Sequence, residues 1–170
     1  MKTSLPATNM QLNRNATIVQ NALTAAGIEV HIRELSDSTR TSHDAAQAVS
    51  CKLGQIAKSL IFKGKGTDQA YLVIASGPNR VDETLVSEAF GVPIEMASAK
   101  FVQKSTGFEV GGVPPVGHKE KLPTFIDEDL MKFEAIWAAA GTSHAVFRLT
   151  PEKLVRITGG RVGKVTHTSQ

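Results

Sequence analysis

The stretch of sequence that decides the fold is residues 56–75, which read IAKSLIFKGKGTDQAYLVIA. Its two apolar runs, at 56–63 and 71–75, contain β-branched and aromatic residues, and a polar segment with two glycines separates them at 64–69. Such runs on either side of glycine-containing turn residues are typical of two strands joined by a turn. The sequence therefore predicts a strand pair here, to which the flanking segments add helices and further strands.

Before this pair, helical and strand patterns are mixed. Apolar residues recur every three or four positions from Leu12 to Ala26, which predicts an amphipathic helix. The apolar and polar alternation at 28–33 predicts a half-buried strand. Thr41 and Asp44 resemble a capping box and predict the start of a short alanine-rich helix. The first part of the chain is therefore expected to form helix, strand and helix.

The mixture continues after residue 75. Three helix starts are predicted from capping residues at Asp82, Ser98 and Thr150, the last followed by Pro151. The glycines that close these helices are Gly91, Gly107 and the Gly159–Gly160 pair. Further strands are predicted at 94–97, 124–127, 134–139 and 145–149. Because strands and helices do not alternate strictly, the predicted class is mixed α/β, a single domain over residues 1–170 with a loose segment at 1–8.

The composition is that of one globular domain. The 170 residues have a mass of 18.2 kDa, and 41% of them are hydrophobic and 21% charged, which excludes a disordered acidic chain. One cysteine excludes an internal disulfide framework, and the five scattered histidines lack metal-ligand spacing, so we expect no metal site. No apolar run approaches the roughly 18 residues of a membrane span. The N-terminus also lacks the apolar core of a secretory signal, so we expect a cytoplasmic protein with no membrane partner.

The formal net charge of +3 at pH 7 is unevenly distributed. Residues 151–170 contain four basic side chains and one acidic side chain, and 52–65 contains four lysines and no acidic residue. The opposite cluster is acidic and lies at 127–129. Two small basic patches fit a few phosphate contacts better than long tracking along a nucleic acid. A solvated surface is the alternative interpretation.

Lys58 is a cation in an apolar pattern. In a strand over 56–63, side chains alternate between faces, so Lys58 shares a face with Ile56, Leu60 and Phe62. A lysine that loses water on such a face has a lowered pKa unless it meets an anion, and lysines of this kind bind phosphate or stabilise developing charge. The alternative is a structural lysine whose stem is buried and whose ammonium reaches water.

The segment 107–118 reads GFEVGGVPPVGH. Its prolines stiffen the backbone, and its glycines leave main-chain N–H groups unobstructed, so the loop can hold a carbonyl or an oxyanion. A valine at Gly112 is then expected to block substrate while leaving the fold intact. A rigid crossover between elements is the alternative. The GxGxxG pattern and a Gly-Lys-Ser/Thr end are both absent, which excludes the common dinucleotide and nucleoside triphosphate loops.

A third candidate is the segment GTSH at 141–144, a turn between two apolar strands. His144 can orient a substrate group there, or it can be a structural side chain, and the same alternatives apply to His118. The chain has no G-x-S-x-G elbow and no H-E-x-x-H motif. If the protein is an enzyme, we therefore expect it to position water beside a polarised carbonyl rather than to use a covalent nucleophile.

Four segments together form a recognisable pattern. In chain order they are IAKSLIF at 56–62, STGFEVGGVPPVGH at 105–118, LPTFID at 122–127 and GTSH at 141–144. The chain resembles the YbaK/prolyl-tRNA synthetase-associated editing domains, free-standing relatives of the insertion domain of bacterial prolyl-tRNA synthetase, from about residue 15 to residue 165. The resemblance implies a single domain with a central mixed, largely antiparallel sheet flanked by helices. It also implies hydrolysis of mischarged aminoacyl-tRNA with neither a metal nor a cofactor.

The resemblance also implies roles for individual residues. By position, Lys58 is the catalytic residue, and Gly111 and Pro115 fit a G-x-x-x-P substrate loop. The other implied substrate-binding residues are Gly112, Gly117, His118, Gly141, Ser143 and His144. The run GTSHAV at 141–146 differs from the cysteinyl-tRNA deacylases of the family. This difference disfavours cysteine and leaves alanyl, seryl, threonyl and small non-protein acyl groups open.

The expected function is that of a trans-editing hydrolase for tRNA that carries the wrong small amino acid, with tRNA for proline the expected tRNA. Its substrate is the acceptor end of an aminoacyl-tRNA, and prolyl-tRNA synthetase is a candidate partner. Lys58 binds a phosphate or stabilises developing charge while the 111–117 backbone holds the acyl or ribose end. Two alternatives stay open: a non-catalytic module of the same fold that binds tRNA or a synthetase, and a hydrolase of small free aminoacyl esters.

Overall fold

A computed structural model describes residues 13–167, and within them five helices surround one sheet of eight strands. The helices are α1 (Arg14–Ala25), α2 (Ser42–Val49), α3 (Glu83–Phe90), α4 (Ala99–Thr106) and α5 (Pro151–Thr158). The strands are β1 (Arg33–Glu34), β2 (Ile56–Gly64), β3 (Ala70–Ser76), β4 (Ile94–Met96), β5 (Thr124–Asp127), β6 (Ile136–Ala139), β7 (Ala145–Leu149) and β8 (Arg161–Gly163). Short 3-10 turns lie at Leu53–Gln55 and Glu128–Lys132.

The pair β2 and β3 lies at the centre of the sheet, whose order is β1-β7-β6-β2-β3-β5-β8, with β4 paired to β2 beside this path. The two strands pair antiparallel without a bulge from Ala57–Ser76 to Lys63–Ala70. The other antiparallel pairs are β1 with β7, β2 with β4 and β6 with β7, and the parallel pairs are β2 with β6, β3 with β5 and β5 with β8. The mixed, largely antiparallel sheet is therefore confirmed.

Helix ends follow the predicted capping residues. The side chains of Asp82, Ser98 and Thr150 each accept a hydrogen bond from a main-chain N–H in the first turn of the helix that follows. Gly91, Gly107 and Gly159 end the same helices with positive φ. The polar start and the glycine end of α3, α4 and α5 are therefore confirmed.

Two strand predictions are wrong in extent, and one strand was missed. The alternation at 28–33 describes burial rather than pairing, because Ile28 and Ile32 are buried but the strand includes only Arg33 and Glu34. Strand β6 begins at Ile136 rather than at residue 134. Strand β8 was missed because it is three residues long and follows the glycines that end α5. The predicted loose segment at 1–8 and the first predicted helical residue lie outside the described residues.

The core has layers on both sides of the sheet. On one side, α1, α4 and α5 pack against the face of β2 that carries Ala57 and Ile61. On the other side, α3 packs against Phe62 and its neighbours. Helix α2 lies over the start of β2 in a small separate cluster with Ile56. Within the described part of the chain, none of the helices has the length and apolar character to cross a bilayer.

Candidate functional site

The largest cavity found in the described residues has a volume of about 560 Å³ and lies along the first half of β2. Its walls come from β2 residues 56–61, from α2, from the loop at 110–113 and from β6. Met96 and Val110 line it while 57% and 56% of each is exposed, so its rim is apolar. The described lining residues include no Asp or Glu. Of the predicted site residues, the cavity brings together Lys58 and Gly111.

The cavity coincides with a gap in the sheet. On the edge of β2 opposite β3, β6 pairs only with Ile56 and Ala57. On the same edge, β4 pairs with β2 only from Phe62 to Gly64. Between these two ladders, the Ala97 N–H donates to the Ile61 carbonyl at 3.2 Å. The central strand is therefore paired on one side only over most of the length that lines the cavity.

Lys58 does not extend to bulk water. Its Nζ donates a hydrogen bond to the Gly77 carbonyl at 3.0 Å, on the cavity wall. Burial lowers the pKa of Lys58 below its ordinary value, while the nearby Asp127 carboxylate acts to raise it and Arg80 to lower it further. An ammonium has three N–H donors, and Gly77 accepts one of them. The remaining donors make this lysine suitable for holding an oxyanion or a phosphate oxygen.

A buried polar network fixes the turn that carries Gly77. The Asp127 carboxylate accepts hydrogen bonds from the Ser76 N–H at 2.9 Å and from the Asn79 amide at 2.8 Å. The same amide also donates to Asp129 at 2.7 Å. A Cβ on Gly77 would lie 2.3 Å from the Leu53 carbonyl oxygen, so the turn also packs tightly from outside. The network therefore fixes the position of the carbonyl that holds Lys58.

Sequence reasoning missed the Asp127 network. It treated the residues at 127–129 only as part of the charge balance. Asp127 is buried at the end of a strand, and the signal that could have found it is an acidic residue directly after the apolar run of β5. Arg40, His43 and Ser59 also line the cavity and were not predicted.

The predicted substrate loop is divided between two environments. Gly111 has a φ of +96° and faces Arg40 at the cavity. Gly112 is buried, and its N–H donates to the Glu109 carbonyl at 3.0 Å. A Cβ at position 112 would lie 2.7 Å from the Thr142 backbone. Substitution of Gly112 is therefore expected to disturb the fold, contrary to the expectation from sequence.

The second half of this loop lies away from Lys58. Pro115, Gly117 and His118 line a different cavity of about 220 Å³. His118 Nε2 lies 2.7 Å from the Pro114 carbonyl oxygen, which can only accept, so Nε2 carries the proton. Burial lowers the pKa of His118, and the hydrogen bond to Pro114 acts in the opposite direction. His118 also contacts the Phe108 ring edge to face, with centroids 6.2 Å apart. These contacts are those of a structural histidine.

The segment 141–144 is held mainly through its carbonyl groups. The Asn15 side chain donates to the Gly141 carbonyl at 3.3 Å, and the Thr39 hydroxyl donates to the Ser143 carbonyl at 2.8 Å. The His144 ring is exposed, with Nδ1 3.3 Å from the Ser143 hydroxyl. Gly141, Ser143 and His144 do not line the cavity found around Lys58 in the described residues. The segment forms the surface on which Gly112 packs.

The site has the groups needed for an uncatalysed leaving group to be replaced by water: a cation with spare donors, an apolar chamber and unpaired strand edge. Within residues 13–167, no three His, Cys, Asp or Glu side chains gather closely enough to hold a metal ion. The arrangement can bind a small acyl group and polarise its carbonyl.

Comparison with known sequences places this arrangement among related proteins. The model of a family described as the aminoacyl-tRNA editing domain matches residues 36–157. The uncharacterized protein YwhH of Bacillus subtilis is 33% identical over 134 residues, which is 79% of this chain and 85% of that protein. A candidate Cys-tRNA(Pro)/Cys-tRNA(Cys) deacylase of Enterococcus faecalis, EbsC, is 28% identical over 77% of this chain and 80% of that protein.

Solved structures and larger enzymes give the same result. A crystal structure of a candidate trans-editing enzyme for prolyl tRNA synthetase matches with a TM-score of 0.87 and 43% identity, and covers 93% of this chain and 100% of that one. A proline–tRNA ligase of Brachyspira hyodysenteriae is 31% identical over 60% of this chain. The match covers 17% of that ligase, so this chain is similar to one part of it.

Proposed function

This chain belongs to the aminoacyl-tRNA editing domain family, and from that premise we propose that it is a deacylase acting in trans on mischarged tRNA for proline. The observation that carries the proposal is the Lys58 ammonium, which Gly77 holds on the wall of an apolar cavity. A cation fixed in a partly desolvated site stabilises negative charge more strongly than one in water. The relatives named for prolyl tRNA synthetase and Cys-tRNA(Pro) support the assignment to tRNA for proline.

The proposed reaction is hydrolysis of the ester between the amino acid and the terminal ribose. Water attacks the ester carbonyl, the bond to the ribose oxygen breaks, and the terminal hydroxyl leaves with a proton. Lys58 donates a hydrogen bond to the oxygen on which negative charge develops, or to the adjacent phosphate. Gly111, which lies at the cavity next to Arg40, is the part of the predicted loop that can approach the acyl or ribose end.

The cavity walls support a small acyl group. Alanine and valine side chains contribute much of the lining, and the described lining residues offer no carboxylate to a basic amino acid. The rim at Met96 and Val110 provides apolar surface on which a terminal base can pack. Alanyl, seryl, threonyl and small non-protein groups are therefore the proposed substrates.

Exposed basic residues support contact with the acceptor stem. They are Lys52 and Lys65 beside β2, and Lys153, Arg156 and Lys164 in the C-terminal part. Contacts from a few such side chains to phosphates weaken as salt releases fewer counterions. Raising the salt concentration is therefore expected to raise KM for aminoacyl-tRNA without an equal change for a small ester.

The test is a deacylation panel. Alanyl-, seryl-, threonyl-, 2-aminobutyryl-, cysteinyl- and prolyl-tRNA for proline are incubated with wild-type protein and with a Lys58→Ala control, beside matched small aminoacyl esters. We expect rapid loss of at least one small non-cognate acyl group and retention of proline. Binding without hydrolysis would establish the non-catalytic module instead. Equal rates on tRNA and on small esters would establish the simple esterase.

A further inference from the structure

The gap in the sheet carries main-chain groups that neither neighbouring strand pairs. Because β2 has no bulge, its N–H and C=O groups alternate strictly between the two edges. The Gly64 N–H bonds to Gln69 on the β3 side, whereas the Ile61 carbonyl accepts from Ala97 on the other side. Even-numbered residues of β2 therefore pair with β3, and odd-numbered residues point into the gap.

Ser59 is the residue at the centre of this gap. The β6 ladder ends at Ala57 and the β4 ladder begins at Phe62, so neither provides a partner for the Ser59 N–H or the Ser59 carbonyl. The Ser59 hydroxyl is also buried and has no hydrogen-bond partner in the described structure. Buried polar groups in proteins are nearly always paired, so this site is suited to a ligand that supplies both a donor and an acceptor.

The spacing of these two groups identifies the ligand. In an antiparallel sheet, two residues that face each other as a hydrogen-bonded pair exchange both of their N–H···O bonds. A single amino acid in extended conformation therefore matches the Ser59 edge, with its amino N–H towards the Ser59 carbonyl and its carbonyl oxygen towards the Ser59 N–H. Addition of a strand to an open edge is a common mode of peptide recognition.

We propose that the aminoacyl group of the substrate binds in this gap as a one-residue strand opposite Ser59. This inference rests on the proposed function and names the feature by which the site recognises an amino acid, namely the α-amino group together with the ester carbonyl. The Ser59 N–H polarises the ester carbonyl next to Lys58. The acyl side chain then points away from the plane of the sheet into the apolar part of the cavity.

The experiment uses wild-type protein and non-hydrolysable analogues of the tRNA end, in which an amide joins the acyl group to 3′-amino-3′-deoxyadenosine. The alanyl amide is compared with the propionyl amide, which has the same size but no α-amino group. We expect the propionyl amide to bind about 10- to 100-fold more weakly, because the Ser59 carbonyl is left unpaired. A site governed by the Lys58 charge alone predicts the opposite order, since propionyl lacks the positive ammonium. Equal or tighter binding of propionyl overturns the proposal.

Amide hydrogen exchange measured by NMR gives a second readout on the same samples. In the free protein, we expect the Leu60 N–H, paired with β3, to exchange more slowly than the Ser59 N–H. The alanyl amide should slow exchange at Ser59 at least 10-fold and leave Leu60 unchanged. Alanyl-tRNA hydrolysis without protection at Ser59 refutes this inference and leaves the proposed function in place. Absence of both hydrolysis and binding across the whole acyl panel refutes the proposed function itself.

Discussion

The wall around Lys58 and the glycine and proline loop at 111–118 share one predicted role but differ in what their polar groups contact. Lys58 has one partner, the Gly77 carbonyl, and keeps further donors at the cavity. In the loop, Gly112 donates within its own turn and His118 is bonded to Pro114. A dense run of glycine and proline therefore marks close contact between chain segments as readily as contact with a ligand. Spare hydrogen-bonding capacity separates the two regions better than sequence pattern does.

The largest effect that sharpens this comparison is expected at Lys58. Replacing it in Lys58→Ala removes a charge-assisted hydrogen bond to the developing negative charge, which we expect to lower the single-turnover deacylation rate by about 30- to 1,000-fold. Lys58→Arg should not restore the rate, because a planar guanidinium does not fit the place of a compact ammonium. The melting temperature should stay the same or rise, since burial disfavours the charged form. Retained hydrolysis in folded protein contradicts the assignment.

The next effect distinguishes neighbouring glycines. Gly112→Ala places a methyl group 2.7 Å from the Thr142 backbone, and we expect a loss of about 3 kcal/mol in the free energy of unfolding. Gly111→Ala is the matched control, because its methyl group meets only Arg40 at 3.6 Å and a positive φ, which together should remove about 1 kcal/mol. Denaturant titration measures both. A Gly112→Ala protein as stable as wild type would restore this residue as a free part of the substrate loop.

A smaller effect is expected where the network acts through Lys58. Asp127→Asn leaves one acceptor oxygen where Ser76 and Asn79 now share a carboxylate, and it removes the negative charge that raises the pKa of Lys58. We expect about a 10-fold lower rate, and the basic limb of the pH–rate profile should move to lower pH. A variant that loses stability but keeps the wild-type pH profile shows that Asp127 is structural and does not position Lys58.

The smallest effect concerns His118 and depends on pH. Because burial lowers the pKa of His118 below 6.5 in the folded protein, the unfolded chain binds this proton more readily. Stability from this residue is therefore complete above pH 6.5 and is lost as the pH falls from there towards the lowered folded value. His118→Gln, which can still donate to Pro114, should reduce this acid-side decline by about 1 kcal/mol or less and leave deacylation at pH 7.5 unchanged. A large loss of activity at that pH would return His118 to the site.

The sequence predicted best where local chemistry determines structure. The caps of α3, α4 and α5 and the strand pair β2 and β3 follow from residues that act on their own neighbours. The family resemblance correctly identified the fold, and Lys58 lies at the cavity. The gap beside Ser59 was not predictable, because it depends on where β6 leaves and β4 joins the same edge. The Asp127 network likewise joins residues about fifty positions apart.

The contact between Gly112 and Thr142 has a consequence for recombination between relatives. The two loops are thirty positions apart but leave no space for a side chain between them. A chimaera that exchanges residues 107–118 alone would therefore join a loop to a partner surface selected for a different one. Exchanging 107–118 and 141–144 together keeps the fit, so these two segments form a single unit for swapping substrate preference between family members.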